Sequence, residues 1–319
     1  MPGFQHLSRI IAEAVGYPPL VTAVVMPTES TALAGAVEAT QSGLITPILV
    51  GPGRRITSVA SAAGTDLSGY RFAEAPDNGP RAAAEGVRLC ATGEAEALMK
   101  GALHTDELMR AVFTSTLRTL RRASHVFVVD IPGFPRPLLV TDAAINVAPS
   151  IEEKLHIIQN AVDLAQAIGI DVPRVALLSA VETLNPQIKS TADAATLRDI
   201  ARRGGVSGAI VDGPLALDLA LSEEAARIKG VDSPVAGCAD ILVTPGLESG
   251  NFLYKAMIYL AHAEGAGIVL GARSPIILTS RASSVQSRIA SCALALLYTR
   301  RVAAARNANE PAVHSDYHT

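Results

Sequence analysis

Three cysteines, no tryptophan and a charged fraction of only 18% mark this 319-residue sequence. Cys90, Cys238 and Cys292 lie far apart, and neither a CxxC pair nor a Cys-His spacing occurs. They are therefore expected to be reduced and mostly buried, in a reducing compartment, with a catalytic thiol as the open alternative. No stretch approaches the roughly 18 uninterrupted apolar residues of a membrane-spanning helix. The N-terminal MPGFQHLSRIIAEAVG lacks an apolar segment followed by a cleavage site, so it does not read as a secretory signal. A cytoplasmic location and no membrane partner are expected. Net charge is −3 and the isoelectric point is about 6.2, which argues against the clustered basic face of a nucleic-acid binder. A few arginines in a cleft could still create a local positive field for a small anion.

Walker A, GxGxxG, HExxH and GxSxG motifs are all missing. The fingerprints of kinases, dinucleotide enzymes, zinc proteases and serine hydrolases are thus absent. Internal repeats, low-complexity tracts and long linkers are missing too. What remains is 49% hydrophobic, with a mean hydropathy of +0.31 that owes much to alanine. The length suggests about two domains, and the proline-rich DIPGFPRP at 130–137 is a candidate boundary. Short apolar runs predict strands at 21–25, 47–51, 97–101, 125–130, 137–142, 174–179, 208–213, 240–245, 267–271 and 275–279. Amphipathic segments predict helices at 28–43, 105–122, 151–169, 222–230, 250–266 and 283–299. The alternation predicts an α/β fold with largely parallel sheets. In such sheets ligands sit beyond the carboxyl ends of strands, often at helix N-termini.

Polar residues just after strands therefore come first. Ser280-Arg281 follows an apolar run and precedes a helix. Arginine offers a planar fork of donors suited to phosphate or carboxylate, although a solvated arginine beside an N-cap serine is the plainer reading. In GLESGNFLYKA (246–256), Gly250-Asn251 reads as a tight turn before a helix start that carries Asn251, Tyr254 and Lys255. A capped helix with a solvated lysine is the alternative. Lys100, His104 and Thr105 follow a strand, with Arg110 one to two turns along the next helix. Histidine as a residue type suits acid–base work near neutral pH, but a structural role is the commoner one for His104. Asp142 and Asn146 in TDAAINVAP either orient a ligand or cap a turn. The glutamates and lysines of 151–154 and 223–229 read as a solvated helix face.

Quoted in order, LMKGALHTDELMRAV, SHVFVVDIPGFPRPLLVTDAAINVAPSIEEKLHIIQNAVDLAQAIGI, PRVALLSAVETLNP, STADAATL, GAIVDGPLALDLALS, SPVAGCADILVTPGLESGNFLYK and GIVLGARSPIILTSRA closely resemble the phosphate acetyl/butyryltransferase family. The similarity runs from about Val21 to about Leu297. It is greatest to the branch found alone or fused behind a hydratase-like domain, and the sequence is expected to correspond to the transferase part without that domain. The resemblance implies a two-domain α/β fold like that of isocitrate and isopropylmalate dehydrogenases, with an active cleft between domains. Residues 1–136 with 278–319 would form one domain and 137–277 the other.

The reaction so implied is acyl-CoA + phosphate ⇌ acyl phosphate + CoA, with acetyl as the first expectation and butyryl as the alternative. No metal and no permanently bound cofactor are implied, CoA being a substrate. The expected partners are acyl-CoA, phosphate and acyl phosphate, with no nucleic acid, in a homodimer or larger homo-oligomer. Carried over by motif, Ser280 and Arg281 are the catalytic pair at the phosphoryl group and acyl carbonyl. Thr105, Arg110, Asn251, Tyr254 and Lys255 are substrate-binding. Three positions depart from the family pattern: Ser283 and Ser287 stand where its branches keep a thiol-activating aspartate, and Gly246 replaces an aspartate. Those losses motivate the rival reading, a non-catalytic or degenerate acyl-CoA or acyl-phosphate binding protein on the same scaffold. An NAD-dependent decarboxylating dehydrogenase is disfavoured, because no cluster of metal-binding aspartates can be assembled from the sequence.

Overall fold

The structure, a computed structural model, describes residues 4–278 and 283–303. Its strands in chain order are β1 (Leu20–Val25), β2 (Ile45–Gly51), β3 (Arg71–Glu74), β4 (Ala97–Lys100), β5 (Ser124–Asp130), β6 (Leu138–Thr141), β7 (Arg174–Leu178), β8 (Ile210–Leu215), β9 (Ile241–Val243), β10 (Glu264–Leu270) and β11 (Ile276–Ile277). Each of the ten expected runs overlaps one of them. The addition is β3, a four-residue edge strand whose residues are mostly exposed, so no apolar run advertises it. Two compact units divide the chain. One comprises Ser8–Leu120 with the residues from Ala266 onward, and the other Arg121–Gly265 with the residues up to Leu7. The crossings at 120/121 and 265/266 lie upstream of the expected 136/137 and 277/278.

In the first unit the strand order is β3-β2-β1-β4-β11-β10. All pairings are parallel except β10 with β11. Strand β1, LVTAVV, is buried along nearly its whole length, as a parallel strand covered on both faces requires. The register pairs Val25 with Lys100 and Ile277 with Met99. The chain therefore leaves β1, β4 and β11 at one common edge. Helix Val285–Tyr298 supplies the deepest packing, with Ala290 to Tyr298 all buried. Each such large aliphatic side chain contributes about 1.5–3 kcal/mol on leaving water.

The helix expected over 105–122 stops at Phe113. Ser115 Oγ donates to the carbonyl of Val112 and accepts from the amide of Leu117. Serine and threonine side chains compete with the helix for backbone groups in this way, and the TSTLRT stretch is rich in them.

In the second unit the order is β5-β6-β9-β7-β8, with β5 antiparallel to β6 and the rest parallel. Val129, Leu138, Val140, Ala176, Leu215 and Leu242 head its apolar core. Helix Ile151–Ala167 begins as expected: Ser150 Oγ accepts from the Glu153 amide, and Glu153 accepts from the Ser150 amide. This reciprocal box satisfies two otherwise orphaned donors. One expectation fails here, because Lys154 is only 4% exposed rather than solvated. Its ammonium meets Asp193 at 3.0 Å. The charge alone could not reveal that a partner 39 residues away is folded against it.

Candidate functional site

The common edge of β1, β4 and β11 is built by close backbone approach. Gly101 donates its amide to Val25 O and Ala102 donates to Met26 O, at 2.8 and 2.7 Å. A Cβ on Gly101 would lie 2.3 Å from Met26 O, so only glycine lets the two turns meet. Lys100 lies at this edge, its Nζ donating to the carbonyls of Gly101 and Leu103. Helix Thr105–Phe113 then starts with His104 as its N-cap, whose amide donates to Glu107 Oε2 at 2.9 Å. Thr105 occupies the first helical position and is exposed, and Arg110 is exposed further along. Among the described residues Arg110 has no acidic partner, so its charge is available to an anion.

Ser280 and Arg281, the expected catalytic pair, lie outside the described residues, between the end of β11 and Ser283. The segment that follows is anchored. Ser284 Oγ accepts from the Ser287 amide at 2.9 Å and caps helix Val285–Tyr298. Arg288 donates to Ser283 O at 2.7 Å and to Glu38 Oε2 at 3.2 Å, joining this helix start to helix Ser30–Gln41. Ser287, where acetyl-specific relatives are expected to keep a carboxylate, is 8% exposed.

Asn251, Tyr254 and Lys255 lie in the second unit, on helix Leu247–Tyr259. The helix begins three residues before Gly250, so the glycine is not a turn but a point of contact within the first helical turn. Asn251 Nδ2 donates to Ala143 O at 3.2 Å. Tyr254 points inward: its ring stacks on Phe127 at 3.9 Å between centroids. Burial, with the nearby charge of Glu264, pushes its phenol up to about 12. Lys255 faces outward and, among the described residues, meets no carboxylate. The three residues thus share one helix but not one face. Thr105 and Arg110 belong to the other compact unit.

The part that sequence reasoning left open is the loop after β6. Asp142 is buried, and its carboxylate accepts from the amides of Ala144, Ile145 and Asn146 at 2.9–3.1 Å, and from Asn146 Nδ2. Burial raises its pKa against those hydrogen bonds, which lower it. Asn146 is held in turn by Arg122 Nε at 2.6 Å and donates to Ala123 O at 2.8 Å. Asp142 therefore caps a turn. The backbone it fixes is what the site helix docks on: Thr244 Oγ1 donates to Asp142 O at 3.2 Å, and Asn251 donates one residue along. The D-A-A-I-N spacing, a carboxylate with small residues and an amide four positions on, is the signal that marked it.

Residues 69–296 match the family described as "Phosphate acetyl/butaryl transferase". A phosphate acetyltransferase of Rhizobium meliloti is 54% identical over 300 residues, covering 93% of this chain and 95% of that protein. A phosphate butyryltransferase of Clostridium beijerinckii is 40% identical over 299 residues, covering 93% and 99%. The crystal structure of a branched-chain phosphotransacylase from Enterococcus faecalis V583 superposes with a TM-score of 0.75 at 31% identity, over 88% of this chain and 99% of that one. The chain belongs to the phosphate acetyl/butyryltransferase family, a family of acyltransferases.

Proposed function

We propose that this chain catalyses the reversible transfer of a short acyl group between CoA and inorganic phosphate, giving acyl phosphate. The observation that carries the reading is the 54% identity to a phosphate acetyltransferase over nearly the whole of both chains. Butyryltransferase relatives at 40% identity keep butyryl as the second substrate, with acetyl first. No observation favours the non-catalytic alternative. Cytoplasmic operation, assembly as a homodimer or larger, and the finer likeness to isocitrate dehydrogenases belong to the same proposal. Free Cys90, Cys238 and Cys292 suit a reducing compartment, and no helix among the described residues is long and apolar enough to cross a membrane.

Two anionic reactants must be held in line while negative charge builds on the tetrahedral centre, so positioning and fixed positive charge carry the catalysis. Arg281 neutralises the phosphate and the developing oxyanion, and Ser280 donates a hydrogen bond to it. Support for this reading comes from β11, which runs parallel to β4, the strand that Lys100, His104 and Thr105 end or follow. Arg110 and Lys255, both exposed and free of carboxylates among the described residues, add positive field for phosphate or the CoA phosphates. Asn251 and Tyr254 secure the helix that presents Lys255. A CoA thiol with a cysteine-like pKa of about 8.5 is a few per cent ionised at neutral pH, so transfer proceeds without a carboxylate at 283 or 287.

The test is phosphate-dependent consumption of acetyl-, propionyl- and butyryl-CoA with acyl phosphate as product, in the wild type and in Arg281→Ala. Loss of one oriented cationic donor is expected to lower kcat by about 10²–10³. No turnover of any of the three by the wild type would sink the enzyme reading. Full activity in Arg281→Ala would sink the site assignment alone.

A further inference from the structure

Helix Val285–Tyr298 reaches back over its own beginning through Arg288, in its first turn. Nη1 donates to Ser283 O at 2.7 Å, and Nη2 donates to Glu38 Oε2 at 3.2 Å. Glu38 lies on helix Ser30–Gln41, and Gly35 lies one turn before it, buried. The aliphatic stem of Arg288 passes over this glycine: a Cβ at position 35 would lie 2.8 Å from Arg288 Cδ and 3.1 Å from Nε. The arginine side chain is only 11% exposed, and its Nε is buried with no hydrogen-bond partner. An unmet buried donor costs stability, and Ser284 Oγ already caps the helix. Helix formation alone therefore does not account for the arrangement.

We propose that Arg288 is a positioning residue for acyl transfer: it fixes the Ser283 carbonyl, and with it the exit of the stretch that carries Ser280 and Arg281. This rests on the reading of that pair as catalytic. The entry of the stretch is fixed by the sheet, where Ile276 pairs with Leu98 and Val269, and Ile277 with Met99. Arg281 stands two residues before Ser283 in the chain, so a shift at the exit reaches it across two peptide units. Arg288 acts through Ser283 and not on the reactants.

The residue types fit the task. Arginine's rigid fork serves two acceptors at once, here a carbonyl on its own loop and a carboxylate on another helix. Glu38 sets the direction of the fork and makes one of the two bonds charge-assisted at both ends. Gly35 clears the path that brings the guanidinium to Ser283. Catalysis by an oriented charge tolerates little displacement, since a shift of about 1 Å can cost about 100-fold in rate.

Steady-state kinetics with acetyl-CoA and phosphate test the role in Arg288→Met, Arg288→Lys and Gly35→Ala, with and without Arg281→Ala. Arg288→Met should lower kcat about 10- to 100-fold and leave the KM for acetyl-CoA unchanged. Arg288→Lys can keep one contact of the two and should recover part of the loss. Gly35→Ala leaves every charge in place and improves the helix propensity at that position, yet should lower kcat by displacing the guanidinium. In the Arg281→Ala background, Arg288→Met should cost less than about threefold more, because residues that act as a unit are not additive. Peptides covering 279–287 should exchange amide hydrogens about 10-fold faster in Arg288→Met than in wild type, and those beyond Ala290 should not. An undiminished kcat in Arg288→Met overturns the proposal, as does an equal loss in both backgrounds, which would make Arg288 merely structural. Unchanged exchange over 279–287 also sinks it and leaves the Ser280-Arg281 pair standing. Full activity in Arg281→Ala sinks the pair, and this role with it.

Discussion

Gly250 and Asp142 are in backbone contact: a Cβ added to the glycine would lie 2.5 Å from the Asp142 carbonyl oxygen and 2.7 Å from Thr244 Oγ1. The helix carrying Asn251 and Lys255 can dock on the loop after β6 only because position 250 has no side chain. The crowding atoms are mainly backbone, which cannot rotate away. Gly250→Ala should therefore destabilise the protein by about 1–3 kcal/mol, the usual cost of overpacking, despite the better helix propensity of alanine. Urea unfolding should show a lower midpoint at an unchanged slope. An unchanged midpoint would mean that the helix does not sit where the structure puts it.

Lys154 and Asp193 give a second, asymmetric expectation. Lys154 has Asp193 as its ion-pair partner, whereas Asp193 also accepts from Lys189 at 2.6–2.7 Å. Both lysines lower the Asp193 pKa against the opposing effect of its burial. Removing Asp193 strands a buried ammonium, which typically costs about 3–5 kcal/mol. Lys154→Met leaves Asp193 with Lys189 and fills the same volume, so its cost should be at most about half as large. Thermal or urea unfolding of Asp193→Ala and Lys154→Met decides the order. Equal losses would argue against the asymmetry.

Lys154 also shows where the sequence stops being informative. Its neighbours Glu152 and Glu153 are where helix-start chemistry puts them, and a lysine beside them looks solvated. Its burial depends on Asp193, whose position is set by tertiary packing. By contrast the strands were legible, because a parallel strand buried on both faces must be a short apolar run, and β1, β2 and β9 are such runs. Strand β3 had no such mark, being an exposed edge.

Among the candidate residues, the placement of Thr105 and Arg110 on one helix was readable, since that helix follows a strand, with Thr105 at its start and Arg110 in its last turn. The different facing of Tyr254 and Lys255 was not, because adjacent residues on a helix diverge by 100° and the core side was unknown. Gly250 looked like a turn for the same reason that it is a contact: both need a missing Cβ.

Thiol chemistry offers a third check. Burial pushes Cys90 and Cys292 up to about 12, Cys90 with a hydrogen bond to Ser274 acting in the other direction. At pH 8 a thiol at about 12 is about 10⁻⁴ ionised, against about 0.2 for a free cysteine near 8.5. Only Cys238, which is partly exposed, should react rapidly with a disulfide reagent in the native state, and all three should react in denaturant. Fast loss of a second native thiol would contradict the packing of Cys90 or Cys292. If Cys238→Ser retains full acyl transfer, no cysteine is a nucleophile in the reaction.

The last expectation concerns acid. Glu94 accepts from Arg88 Nη1 at 2.7 Å, from Arg71, and from Thr92 at 3.1 Å. These hydrogen bonds, that of Arg88 first, hold its carboxyl down at about 2. A carboxylate whose folded pKa lies below its unfolded value binds fewer protons in the native state. Its contribution to stability is present above the unfolded pKa of about 4.3 and drains away as pH falls toward 2. Glu94→Gln removes that contribution at the outset. The stability gap between wild type and Glu94→Gln should therefore be largest near neutrality and close progressively from about pH 4.5 downward. Because the pairs sit at the surface, raising the salt concentration should also shrink the gap at neutral pH. Unfolding midpoints of the two proteins across pH 7 to 2 make the comparison, and a gap that stays constant or widens on acidification would show that Glu94 is not held as its partners imply.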